Sequence, residues 1–222
     1  MKEITKNNIL HHLQQMKYMG FKYSDSIELN TKENIISELP LNSSSLENTM
    51  LNCNLCSFSK SRKNILVGQG NLDADVIFLN MAPSIVEDEG AELLLGNSGT
   101  MLKKMAKNIL KIDIEDIYIL NILKCLPNKD IEESNIEINL CKPYIQKQLD
   151  IINPKLIIAF GNSYKYLTND DKDISEIRGN MQYYNNIKII PTYDPSFILR
   201  NPSQKKDVMN DLEKAKLLMD AF

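Results

Sequence analysis

No stretch of this 222-residue sequence approaches the ~18 consecutive apolar residues that a membrane span requires. The opening residues, Met1-Lys-Glu-Ile-Thr-Lys-Asn-Asn, also lack the apolar core of a secretory leader. A cytoplasmic protein is the expectation from these two absences. Positive charge is not in excess, since 26 Lys and Arg face 29 Asp and Glu for a formal net charge of −3. That balance argues against a uniformly basic nucleic-acid coat but leaves room for a local basic face. Histidine is nearly missing. Its two copies, His11 and His12, sit together in a polar N-terminal stretch and read as solvent-exposed helix residues. Cysteine is scarce too, and the four present are not expected to pair as disulfides in a reducing compartment. Metal binding or simple burial remains for them.

What is present is globular. Hydrophobic residues make up 43% and charged residues 25%, enough apolar material for a sizeable core. Apolar positions Ile4, Ile9, Leu10, Leu13, Met16 and Met19 fall at roughly helical spacing before Gly20. Residues 1–47 are therefore read as a helical extension with a linker, and 48–222 as the main domain. Within that domain, short β-branched runs alternate with helical periodicity. The runs are Val76–Leu79, Ile117–Leu120, Leu156–Phe160 and Ile187–Ile190. Helices are expected after Ser98 or Thr100, over 136–152, over 163–167 and over 203–220. This alternation predicts an α/β fold, a three-layer α/β/α sandwich around a four-stranded, mostly parallel sheet.

The stretch Asp116–Cys125 is the hub. Its strand ends on the polar Asn121, and Cys125 follows shortly after. Ligands in open α/β sheets bind at the carboxyl ends of strands, so one segment offers an amide for recognition and a thiolate for a metal. The remaining cysteines are Cys53 and Cys56, spaced Cys-x2-Cys, and Cys141 at the start of a predicted helix. Four thiolates suit an iron–sulfur cluster or a structural zinc equally well on chemistry alone.

Several ordered blocks carry a resemblance: Cys53-x2-Cys56; Val67-Gly-Gln-Gly70; Met81-Ala-Pro-Ser-Ile-Val-Glu-Asp88; Gly96-Asn-Ser-Gly99; Asn121-Ile-Leu-Lys-Cys125-Leu-Pro127; Cys141-Lys-Pro-Tyr; Arg178-Gly179; and Pro191-Thr-Tyr-Asp-Pro-Ser-Phe-Ile-Leu-Arg200. From about Asn52 onward the chain resembles the uracil-DNA glycosylase superfamily, closest to its iron–sulfur, family 4 branch. The resemblance implies a [4Fe–4S] cluster on Cys53, Cys56, Cys125 and Cys141. It also implies a DNA-repair enzyme that extrudes a nucleotide and hydrolyses its N-glycosidic bond. Asn121 would read the base, and the loop from Met81 through Ala82 and Pro83 to Asp88 would place sugar and water.

Three positions depart from the family pattern. Met81 stands where the branch has an acidic residue, Leu94 where an aromatic stacks on the base, and Asp194 where a histidine stabilises the departing anion. The last matters most, because a carboxylate there opposes a uracil anion. A turn-capping role for Asp194 before Pro195 is also open. Either an enzyme with altered activity or a non-catalytic DNA-binding module follows from this pocket. Lys60, Arg62, Lys63 and Arg200 are the expected phosphate contacts. Phe197-Ile198-Leu199 is a candidate wedge for the gap left by a flipped base. A monomer acting on DNA, with no membrane partner, is the expected assembly.

Overall fold

The computed structural model describes residues 39–222. The predicted N-terminal helix, with His11 and His12, lies outside the described residues. Among those described, the first helix is α1 (Ser43–Leu51), which starts on an Asn42 side chain that accepts from Ser45 N. It straddles the expected 47/48 boundary, and its Leu46 and Met50 are buried beside Tyr144.

Six strands and seven further helices follow. In chain order they are β1 (Gln69–Gly70), β2 (Val76–Asn80), α2 (Ile85–Gly90), α3 (Gly96–Met105), β3 (Ile117–Asn121) and α4 (Asn135–Ile152). Then come β4 (Leu156–Phe160), α5 (Ser163–Thr168), α6 (Ile174–Ile177), β5 (Gln182–Tyr184), β6 (Ile187–Thr192), α7 (Pro195–Arg200) and α8 (Lys205–Met219). The single sheet runs β1-β3-β2-β4-β6-β5. Its four central strands are parallel, as the β-branched runs predict. The expectation of four strands is corrected to six, because β1 and β5 add antiparallel edges. Both are short and polar, with no apolar run to announce them.

The central strands are buried on both faces, and alternation divides their side chains between two cores. Ile77, Leu79, Tyr118, Leu120, Ile157, Ala159 and Ile189 face one core, which α4, α5 and α6 close with Ile145, Leu149, Tyr164 and Ile177. Val76, Phe78, Ile117, Ile119, Leu156, Ile158, Phe160 and Ile190 face the other, closed by Leu102, Ile198, Val208 and Leu212 of α3, α7 and α8. Phe78 and Phe160 meet edge to face there, with ring centroids 5.3 Å apart. The layers are those of the expected α/β/α sandwich. Helix α3 begins at Gly96, so Ser98 and Thr100 lie inside it rather than capping it. The chain leaves β2 toward β3 on one side and leaves β4 toward β6 on the other. That reversal opens a crevice at the carboxyl ends of the strands.

Candidate active site and cysteine cluster

A pocket of ≈140 Å³ occupies this crevice, walled by Asn80, Ala82, Ser84, Glu87, Ser98, Gly99, Leu102, Asn121 and Asp194–Ser196. Asn80 and Asn121 are partners at the ends of β2 and β3. The register continues beyond the sheet, where Ile122 N donates to Asn80 O (3.0 Å) and Leu123 N to Met81 O (2.9 Å). Asn121 is therefore held by backbone on both sides. Its side chain is buried, yet Nδ2 has no hydrogen-bond partner. A buried unpaired donor costs about 1–3 kcal/mol. In a pocket wall it marks a place prepared for a ligand acceptor. Beneath it, the buried Lys124 donates from Nζ to Asn121 O at 2.7 Å.

The loop after β2 enters α2 through a capping box. Glu87 Oε2 accepts from Ser84 N (2.8 Å) and Ser84 Oγ (2.7 Å), while Oε1 accepts from Leu94 N (2.8 Å). Glu87 is thus the carboxylate that this loop contributes to the pocket wall. The Ser-x-x-Glu spacing of Ser84 and Glu87 was the available sequence signal for it. Asp88, the end of the loop expected to place sugar and water, points elsewhere. It is 2% exposed and accepts from Lys63 N (3.0 Å) and Asn64 N (3.1 Å). Adjacent helical residues project about 100° apart, so only one of the pair can face the pocket.

Leu94 is also displaced from its expected role. It has a positive φ of 62° and is buried in the core shared by Leu102 and Phe160, outside the pocket walls. Gly99 lies so close to the Leu94 backbone that any Cβ would collide with it. No aromatic side chain is among the pocket-lining residues.

Asp194 joins two roles that the sequence left as alternatives. It is the N-cap of α7, with Oδ1 accepting from Ser196 N at 2.7 Å and from the Ser196 hydroxyl. It also lines the pocket and an adjoining cleft of ≈790 Å³. Gly161, at φ 57°, allows this approach, since a Cβ there would lie 3.0 Å from Asp194 Cβ. Met81 faces the cleft rather than the small pocket, alongside Asp130, Glu132, Asp173, Phe197 and Arg200. Ile198 is fully buried, so Leu199 is the exposed member of the expected wedge.

The cysteines come from three segments. Cys53 and Cys56 follow α1, Cys125 follows β3, and Cys141 lies in the first half of α4. They are near enough to affect one another's charge. Burial pushes the Cys125 thiol up, opposed by the Arg62 guanidinium and reinforced by Cys56 and Cys53. Burial likewise pushes Cys141 up to about 12, opposed by Lys124 and reinforced by Cys125 and Cys53. Burial lowers the Lys124 ammonium to about 7, opposed by Cys141 and Cys125. Among the described residues, no three or more His, Cys, Asp or Glu side chains are placed to hold a single metal ion.

The sequence model of the uracil DNA glycosylase superfamily matches residues 67–217. The chain belongs to this superfamily. It is 34% identical over 169 residues to a Type-4 uracil-DNA glycosylase of Thermotoga maritima, covering 74% of this chain and 88% of that protein. It is 32% identical over 184 residues to the Type-4 enzyme of Sulfurisphaera tokodaii, covering 78% and 83%. A DNA polymerase of Bacillus phage SP01 is 27% identical over 154 residues, 69% of this chain but 17% of the polymerase. The superfamily match includes Cys125 and Cys141 and begins after Cys53 and Cys56.

The four basic residues expected on phosphate take different places in the structure. Lys60 is exposed, and Arg200 edges the large cleft. Lys63 pairs with Glu89 on the surface. Arg62, expected on DNA phosphate, instead donates from Nη1 to Cys125 Sγ (3.1 Å) and from Nη2 to Cys53 O (2.8 Å). Among the described residues no helix is long and apolar enough to cross a membrane.

Proposed function

We propose that this protein is a DNA-repair enzyme of the iron–sulfur uracil-DNA glycosylase type, which binds DNA and hydrolyses the N-glycosidic bond of a flipped uracil or related base. The observation that carries the reading is the unpaired, buried Nδ2 of Asn121 in the wall of the switch-point pocket. A pyrimidine carbonyl entering there supplies the missing acceptor. The Glu87 capping box fixes the loop that would lie along the sugar, with Ala82 at its edge and the buried Pro83 behind it.

Asp194 weakens uracil chemistry in this reading. The base leaves as an anion, and a carboxylate about 3.5 Å away opposes it by roughly 4–5 kcal/mol at an effective dielectric near 20. That slows cleavage by about a thousandfold. A non-catalytic DNA-binding module is the second reading, favoured by Asp194 being engaged as a cap.

Cys53, Cys56, Cys125 and Cys141 would hold a [4Fe–4S] cluster. The Arg62 donor on Cys125, which also reaches the Cys53 carbonyl, supports this. When bound, the cluster supplies thiolate-ligated iron that ties α1, the end of β3 and α4 together. Incubating the purified protein with oligonucleotides carrying uracil, hypoxanthine or other altered bases tests the function. Base release that Asn121→Ala abolishes is the expected result. DNA binding without release of any base leaves the non-catalytic reading.

A further inference from the structure

The two donors of Arg62 span parts of the chain that the sequence keeps far apart. Nη1 reaches Cys125 Sγ at 3.1 Å and Nη2 reaches the carbonyl of Cys53 at 2.8 Å. The backbone beneath is fixed on both sides. Arg62 N donates to Phe58 O (3.1 Å), and the next two amides grip the buried Asp88 carboxylate. The side chain is half-buried and reaches the Cys125 sulfur. We propose that Arg62 is a positioning residue for the iron–sulfur cluster and not a phosphate ligand. This rests on the reading of the four cysteines given above.

The chemistry follows from the guanidinium's shape. A planar fork presents two donors in fixed geometry, which the single ammonium of lysine does not reproduce. One prong places positive charge and an N–H on a ligand sulfur. The other locks the Cys53–Cys56 turn against the Cys125 segment. Hydrogen bonds to cluster sulfurs and nearby charge set both the retention and the potential of such a centre. Reduction makes the cluster more negative, so a donor cation favours the reduced form. With Nη1 on Cys125 and Nη2 on Cys53, Arg62 is expected to release few counterions from DNA.

The test compares anaerobically purified wild-type protein with Arg62→Gln and Arg62→Lys. Iron and sulfide content, the rate of bleaching by a chelator, the midpoint in a redox titration and the salt dependence of DNA affinity are read on each. Arg62→Gln is expected to bleach about tenfold faster and to shift the midpoint negative, with the salt slope of the wild type. Arg62→Lys, which keeps the charge and also serves if the Gln variant does not fold, is expected to bleach faster than wild type and to fall between in midpoint. Bleaching and midpoint unchanged in both variants would overturn the proposal. So would full restoration by lysine, or a salt slope reduced by about one phosphate contact. Wild-type protein without iron and sulfide would overturn the cluster reading itself, whatever the variants do.

Discussion

Lys124 Nζ lies 2.7 Å from the backbone carbonyl of Asn121, and Lys124 is 1% exposed to solvent. The side chain that follows the strand thereby supports, from below, the amide that faces the pocket. Lys124→Ala should leave both a cavity and an unpaired carbonyl, costing roughly 2–4 kcal/mol. Thermal unfolding of the two proteins measures this. A variant as stable as the wild type would show that the contact carries no weight.

The Gly99 backbone presses on Leu94, and Leu94 is committed to the core. Restoring an aromatic with Leu94→Phe should therefore not help base stacking. It should overpack the core and destabilise by about 1–3 kcal/mol. Higher glycosylase activity in Leu94→Phe, without loss of stability, would place that side chain in the pocket after all.

Exposed Lys60 and cleft-edge Arg200 remain the candidates for phosphate contact. Replacing each with Ala should lower the slope of log affinity against log salt by about 0.7–0.9. Equal salt slopes for Lys60→Ala, Arg200→Ala and the wild type would move the DNA path elsewhere.

The parallel strands were legible because each is a β-branched run too apolar to be anything but buried. The edge strands Gln69–Gly70 and Gln182–Tyr184 were not, being short and pairing only where the sheet already exists. Asn121 could be placed at a strand tip from its sequence context. Glu87 and Asp88 could not be told apart, since the phase of α2 is set by its Ser84 cap. The destination of Arg62 was likewise hidden. Its charge and its place beside Lys60 and Lys63 suggest a surface patch, and only the fold brings Cys125 within reach.

Asp194 caps α7, so its replacement by His should also cost the helix about 0.5–2 kcal/mol. Asp194→Asn separates the two effects. Asparagine is as good a cap, and it removes the charge while leaving Ser196 satisfied. Asp194→Asn should unfold at the wild-type temperature, whereas Asp194→His should unfold earlier. Equal losses in both would mean that the charge of Asp194, not its capping geometry, holds the loop.

Release of free uracil from a uracil-containing oligonucleotide, measured side by side for the wild type, Asp194→Asn, Asp194→His and Asn121→Ala, separates base recognition by Asn121 from the charge of Asp194. Weak release by the wild type is predicted, rising in Asp194→Asn as the opposing charge is removed and rising further in Asp194→His as a donor is added. Asn121→Ala should release none. Rapid release by the unaltered protein that falls in both Asp194 variants would contradict an opposing charge at Asp194, and would make the aspartate a working catalytic group.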